Sequence, residues 1–286
     1  MAVPKRLLLE QLLDESVTQL SPVEGGDISE SCRALTKSRT PLFVKFGDGL
    51  PDGLLTAEAA GLRALQGKGC TVPQVVACND SMLVLEWVTE GDASRDYWEA
   101  LGRGLATQHQ SSGETYGSPD GDNFIGRTTQ PNAENSDWVV FFRDQRLGHM
   151  QKLLRDSGQL DQYASADIDT LRGRLEEWLH LPEERPALLH GDLWSGNTMP
   201  GPDGEPVIYD PAVYYGCREA DLAMTQLFGG FPSTFYIAYR EAFPLVGGYP
   251  ERVPLYNLYH VLNHALLFGG AYLDQAMQTV RRFIKR

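Results

Sequence analysis

The most informative stretch of the chain runs Leu188-Leu189-His190-Gly191-Asp192-Leu193-Trp194-Ser195-Gly196-Asn197, with Asp210-Pro211 following it. The apolar run Pro186–Leu189 leads into His190, and a second, Val207–Tyr209, leads into Asp210. Gly201-Pro202-Asp203-Gly204 is a turn between them. Two short strands therefore each deliver a polar residue at their ends, and Asp192 and Asn197 share one loop. A carboxylate that can take a proton stands beside an amide oxygen and a second carboxylate that can ligate a hard cation.

Those donor types are what phosphoryl transfer from ATP requires. Asp192 suits the catalytic base, and Asn197 and Asp210 suit ligands for Mg²⁺. The spacing matches the catalytic-loop pattern H-R-D-x-x-x-x-N of kinases, with Gly191 in place of the arginine. His190 and Asp221 are expected to support the loop, Asp221 by accepting its backbone N–H bonds. Working back toward the N-terminus, Lys45 sits in the apolar run Leu42–Phe46 and precedes a helical segment carrying Glu58. In kinases such a strand lysine contacts phosphates and pairs with a helix glutamate. Gly25 and Gly26 would let backbone N–H groups approach phosphate oxygens. Glu86 and Val88, at the end of the strand Met82–Trp87, would offer main-chain groups to adenine.

The wider pattern fits that assignment. Met1–Ser16 reads as an amphipathic helix. Ile28–Thr36 and Leu42–Phe46 read as strands, Thr56–Gly67 as a helix, and Gln74–Ala77 and Met82–Trp87 as a strand pair. Beyond Val88 the texture turns helical: Ser94–Ser111, Ser136–Ser157, Ala166–Leu179, Glu219–Phe228, and Val253–Phe283 broken near Gly269-Gly270. Gly113–Glu134, rich in Gly, Pro, Asn and Asp, reads as a long surface excursion. The expected fold is α+β and two-lobed, with residues 1–88 as a small β-rich N-lobe and residues 89–286 as a larger, mainly helical C-lobe.

At 286 residues and a net charge of −13, the chain is a poor match for non-specific nucleic-acid binding, which relies on Lys and Arg, or for an anionic membrane surface. A long apolar run is missing, so no membrane span is expected and the location is read as cytoplasmic. Cys32, Cys70, Cys78 and Cys217 lack zinc-ligand spacing. A monomer is the expected state.

Leu188–Asn197, Asp210–Gly216 (Asp-Pro-Ala-Val-Tyr-Tyr-Gly) and Arg218–Met224 (Arg-Glu-Ala-Asp-Leu-Ala-Met) together resemble the fructosamine kinase (ketosamine-3-kinase) family. Asp122–Gly126, Asp137–Phe142 and Tyr256–His264 extend the resemblance along the chain. Trp194 after His-Gly-Asp-Leu separates it from the aminoglycoside and choline kinases. The resemblance implies a protein-kinase-like fold and ATP-dependent phosphorylation of the 3-hydroxyl of free or protein-bound ketosamines, which promotes deglycation. It also implies Trp194 as a wall for the sugar. Where some relatives carry a cysteine in the Gly-rich loop, this chain has Asp27. The rival expectation is a phosphotransferase for an aminoglycoside, choline or a sugar. Glu114, Asp120, Asp122 and Glu134 would suit a polycationic acceptor.

Overall fold

Alternation along Pro41–Phe46 sets the first layer. Successive strand residues point to opposite faces, so Leu42, Val44 and Phe46 share one side while Phe43 and Lys45 share the other. The computed structural model describes residues 4–23 and 29–285. In it α1 (Lys5–Leu13) precedes β1 (Val17–Pro22), β2 (Glu30–Thr36) and β3 (Pro41–Phe46). Then come α2 (Leu54–Leu65), β4 (Val75–Asn79) and β5 (Met82–Glu86). The strands form an antiparallel sheet in the order β1-β2-β3-β5-β4. Leu42, Val44 and Phe46 pack with Met82, Val84 and Leu9 of α1 in one apolar cluster. Leu83 and Leu85 on the opposite face pack with Leu55, Ala59 and Leu62 of α2. Lys45, in register with Ser31 and Leu83, must therefore face α2.

The second lobe is mainly helical. It contains α3 (Tyr97–His109), the hairpin β6 (Asn123–Ile125) and β7 (Thr128–Gln130), and α4 (Trp138–Phe141). A π-helical turn, Phe142–Gly148, leads into α5 (His149–Asp156), α6 (Gln162–Arg172) and α7 (Glu176–Leu179). Short strands follow: β8 (Ala187–Leu189), β9 (Thr198–Pro200), β10 (Pro206–Ile208) and β11 (Tyr214–Gly216). The chain ends in α8 (Glu219–Met224), α9 (Ser233–Ala242), α10 (Tyr249–Phe268) and α11 (Ala271–Ile284). Phe141, Phe142, Tyr256, Leu262 and Phe283 belong to its central core.

The lobes are physically continuous. The α2-side cluster runs on into Leu101, Leu105, Leu188, Leu193 and Ile208. Thr71 also bridges Val207 in parallel. Departures from the sequence pattern have local causes. Gly113–Glu134 holds the hairpin β6–β7, whose three-residue strands are too short to show a period. Helix α9 follows Pro232 and buries only Phe235, Ala238 and Tyr239, a weak signal over ten residues. Helix α6 starts at Gln162 because Asp161 caps it, its carboxylate accepting the Ala164 N–H at 2.8 Å. The break at Gly269-Gly270 is present, both glycines lying at positive φ.

Candidate active site

Strand β8 ends at Leu189 and is held by β11, with Leu189 opposite Tyr214. The chain then turns sharply: Gly191 has φ +83°, and a Cβ there would lie 2.0 Å from the Ala212 carbonyl oxygen. Only glycine lets the loop pass this close to the segment after Asp210. Asp221, on α8, holds the turn from below. Its Oδ2 accepts the His190 N–H at 2.7 Å, and its Oδ1 accepts the Gly191 N–H at 2.8 Å. The His109 Nε2 lies 3.1 Å from Oδ2, while His109 Nδ1 meets the Tyr239 hydroxyl at 2.8 Å. Burial works against charge on Asp221, but the bond from His109, its charge interactions and the backbone N–H bond hold the carboxyl below the usual range.

His190 is fully buried and joins two strand ends. Its Nδ1 accepts the Asp192 N–H at 3.2 Å, and its Nε2 donates to the Tyr209 carbonyl at 3.0 Å. That pattern needs a neutral ring. Burial depresses the imidazole pKa in the same sense. Tyr209 completes the splice: its N–H donates to the Asn197 carbonyl at 3.1 Å and its hydroxyl to the Gly196 carbonyl at 2.9 Å. Asp192, Asn197 and Asp210 are thus brought to one place by backbone bonds.

Asp192 is pushed up to about 7, chiefly by burial and then by the carboxylates of Asp210 and Asp221, with the Asn197 amide opposing. Asn197 Nδ2 donates to the Asp192 carbonyl at 2.8 Å. With Nδ2 engaged, the amide oxygen is the atom Asn197 can offer a cation. Asp210 has φ +57°, a region Asp tolerates better than most residues. Its Oδ1 accepts from Lys45 Nζ at 2.6 Å, and Lys45 also reaches Glu58 Oε1 at 2.7 Å. Burial works to lower the Lys45 pKa, but Asp210 and Glu58 outweigh it and hold the ammonium charged. Glu58 is raised to about 7, first by burial and, against the pull of Lys45, by Asp210.

Helix α2 reaches this cluster because Gly61, one turn after Glu58, packs on Pro211 and Val213. A Cβ at Gly61 would come within 3.1 Å of Val213 Cγ2. The hairpin β6–β7 supports the same segment: Asn123 Nδ2 donates to the Val213 carbonyl at 2.7 Å and Gln130 Nε2 to the Ala212 carbonyl at 3.2 Å.

The remaining expected residues are placed as follows. Trp194 is half-buried with its ring over Gly196. Glu86 closes a bracket with Gln74: its N–H donates to the Gln74 carbonyl at 2.9 Å and its carboxylate accepts the Gln74 N–H at 3.0 Å. Its polar groups thus face β4, and Val88 is half-buried two residues on. Gly25 and Gly26 lie outside the described residues. Among the described residues no cluster of three His, Cys, Asp or Glu could hold a metal unaided. An amide oxygen and one carboxylate fit Mg²⁺ that keeps waters and phosphate oxygens as its other ligands.

The fructosamine kinase family model matches residues 1–286. The chain belongs to this family. Within it, a Synechocystis protein described as a probable ketoamine kinase is 40% identical over 92% of this chain and 89% of that protein. A Vibrio parahaemolyticus protein of the same description is 38% identical over 99% and 98% of the two chains. A crystal structure from Thermobifida fusca, provisionally named fructosamine-3-kinase, covers all of both chains with TM-score 0.87 and 34% identity. An aminoglycoside phosphotransferase solved with ADP has TM-score 0.65 at 15% identity, over 98% of this chain and 99% of that one. That distant likeness establishes the shared protein-kinase-like two-lobed fold.

Three residues of this kinase-family site were not singled out from sequence. Tyr209 read only as a strand end. His109 lies inside the helical segment Ser94–Ser111 with no local signal to set it apart. His260, whose Nδ1 lies 4.0 Å from Asp192 Oδ1, had one available signal: it shares a helix face with His264, four residues on.

Proposed function

We propose that the chain transfers the γ-phosphoryl group of ATP to the 3-hydroxyl of ketoamines, the adducts of amines with sugars. The observation that carries this reading is the convergence of Asp192, Asn197, Asp210 and Lys45 in a chain of this family. The Asp192 carboxylate takes the proton of the attacking hydroxyl, and its pKa near neutrality suits a general base. Lys45 orients phosphate oxygens, with Glu58 fixing its direction. Asn197 and Asp210 would hold Mg²⁺, which when bound offsets charge on the phosphates. Trp194 presents an aromatic surface to the sugar. We further infer an N-lobe ending at residue 88 and adenine contacts from the main chain near Val88.

The product chemistry explains a use for the reaction. Enolisation across C1–C2 of a 3-phosphorylated ketoamine makes an electron-rich enaminol. Phosphate leaves from C3 and forms an imine, and water then hydrolyses the imine to the free amine and a deoxy dicarbonyl sugar. The kinase would thereby promote deglycation without itself hydrolysing a bond. A polycationic acceptor fits less well. Asp122 accepts the Asn132 N–H at 2.8 Å and Glu134 accepts from the Thr115 hydroxyl at 2.5 Å, so these carboxylates stabilise their own segment. Among the described residues no helix is long and apolar enough to cross a membrane.

The test is ADP release with Mg-ATP and ribuloselysine or fructoselysine, beside kanamycin, choline and free ribulose, with Asp192→Asn in parallel. Turnover of a ketoamine that disappears in the variant is the expected result. Turnover of kanamycin or choline alone would overturn the substrate assignment. Trp194→Ala should raise KM for the ketoamine more than KM for ATP, and an unchanged ketoamine KM would remove the role given to that ring.

A further inference from the structure

A band of aromatic rings leaves the catalytic loop and continues across the surface. It starts at Trp194, two residues after Asp192, whose ring meets Phe228 edge to face at 5.9 Å. Phe228 has φ +54°, rare for a bulky residue, and is 37% exposed. Its ring lies 4.7 Å from that of His264, which lies 5.6 Å from Phe268 and 5.2 Å from Tyr272. Phe268, at the end of α10, is 65% exposed. His264 is anchored through Nδ1 to the His260 carbonyl at 2.8 Å. The middle of the band is therefore one helical turn from His260, whose Nδ1 lies 4.0 Å from Asp192 Oδ1.

We propose that this shelf, from Trp194 through Phe228 and His264 to Phe268 and Tyr272, is the subsite for the amine half of the acceptor. It selects ketoamines whose amine carries an aromatic or long aliphatic group. The inference rests on the ketoamine reading above. With the 3-hydroxyl at Asp192, the amine nitrogen on C1 is only two carbons away, so its substituent emerges where the shelf begins. That nitrogen is a secondary ammonium near neutral pH, and aromatic faces attract cations. An apolar substituent laid on the exposed rings of Phe228 and Phe268 leaves water in the same step.

Two adducts of one sugar, with benzylamine and with glycine, separate the possibilities. Wild type should turn over the benzylamine adduct with the higher kcat/KM, by about tenfold, the size of an aromatic contact. In Phe228→Ala and Phe268→Ala that ratio should fall toward one through KM for the benzylamine adduct. Continued glycine-adduct turnover and an intact circular dichroism spectrum show that the variants are folded. An unchanged ratio with both adducts consumed overturns the shelf alone. If neither adduct is consumed by wild type, the ketoamine reading falls and takes the shelf with it. Light scattering provides the last arm: a dimer that Phe268→Ala converts to monomer, with the ratio unmoved, would assign the face to a second copy and overturn the proposal.

Discussion

Replacing Asp221 with Asn changes one oxygen to an NH₂ group at a position that is 1% exposed. The carboxylate there receives backbone N–H bonds from His190 and Gly191 and faces His109 Nε2. An amide keeps one acceptor oxygen, so at least one of these donors is left against an NH₂ group in the dry interior. Bonds to a charged acceptor contribute about 1.5–3 kcal/mol each, and removing one partner from a buried charged network destabilises by about 3–5 kcal/mol. Urea unfolding followed by tryptophan fluorescence should therefore show a loss of about 4 kcal/mol with an unchanged m-value. The donors immediately precede Asp192, so the variant should also lose about 100-fold in kcat, the effect of roughly 1 Å of misplacement. KM for ATP should change little, because the Lys45–Glu58 pair lies outside this network. Stability within about 1 kcal/mol of wild type together with undiminished kcat would refute the reasoning.

Two further outcomes follow from the same neighbourhood. Gly191→Ala forces a Cβ into the Ala212 carbonyl at positive φ and should lose about 2–4 kcal/mol from strain and overlap, with kcat falling more than KM for ATP; wild-type denaturation and kinetics would contradict it. His260 is buried with its pKa lowered to about 3, by burial first and then by His264; its unfolded form takes a proton as pH falls below about 6.5 while the folded form does not, so stability is full above that pH and is lost below it. The advantage of wild type over His260→Gln should shrink by about 1.4 kcal/mol per pH unit, or roughly 3 kcal/mol by about pH 4.5, and parallel stability curves for the two proteins would exclude it.

The candidate catalytic loop was legible as a cluster of polar donors because its pattern is local. Asp192 and Asn197 sit five residues apart, and Asp210 announces itself by following an apolar strand. Lys45 was legible by a different route, as a charge inside an apolar strand that alternation turns toward a helix bearing Glu58. What the sequence did not disclose depends on contacts between distant segments. Tyr209 joins Asn197 and His190 through its backbone and hydroxyl, and backbone groups leave no residue signature. Hairpin β6–β7 grips Ala212 and Val213 across 82 and 90 residues of chain, and strands of three residues are below the length at which alternation can be read. The aromatic band is assembled from the catalytic loop, Phe228 and two helices separated by Gly269-Gly270, so no window of sequence contains it.

The charge pattern gives these parts a common logic. Glu58 and Asp210 share one ammonium, Lys45, and the carboxyl of Asp192 lies in the field of Asp210. Burial first, and then the neighbouring carboxylates, push up the carboxyls of Asp192 and Glu58, so the cluster is short of positive charge. An overall charge of −13 need not oppose a nucleotide here, because a divalent cation bound with the phosphates would make up the local deficit. His190 stays neutral against that deficit, because burial lowers its pKa more than Asp221 and Asp210 raise it, and the neutral ring tethers the loop through both nitrogens. Positioning of the loop has thus been given to groups that carry no net charge of their own, or, at Asp221, to a charge facing N–H donors on the far side of the turn.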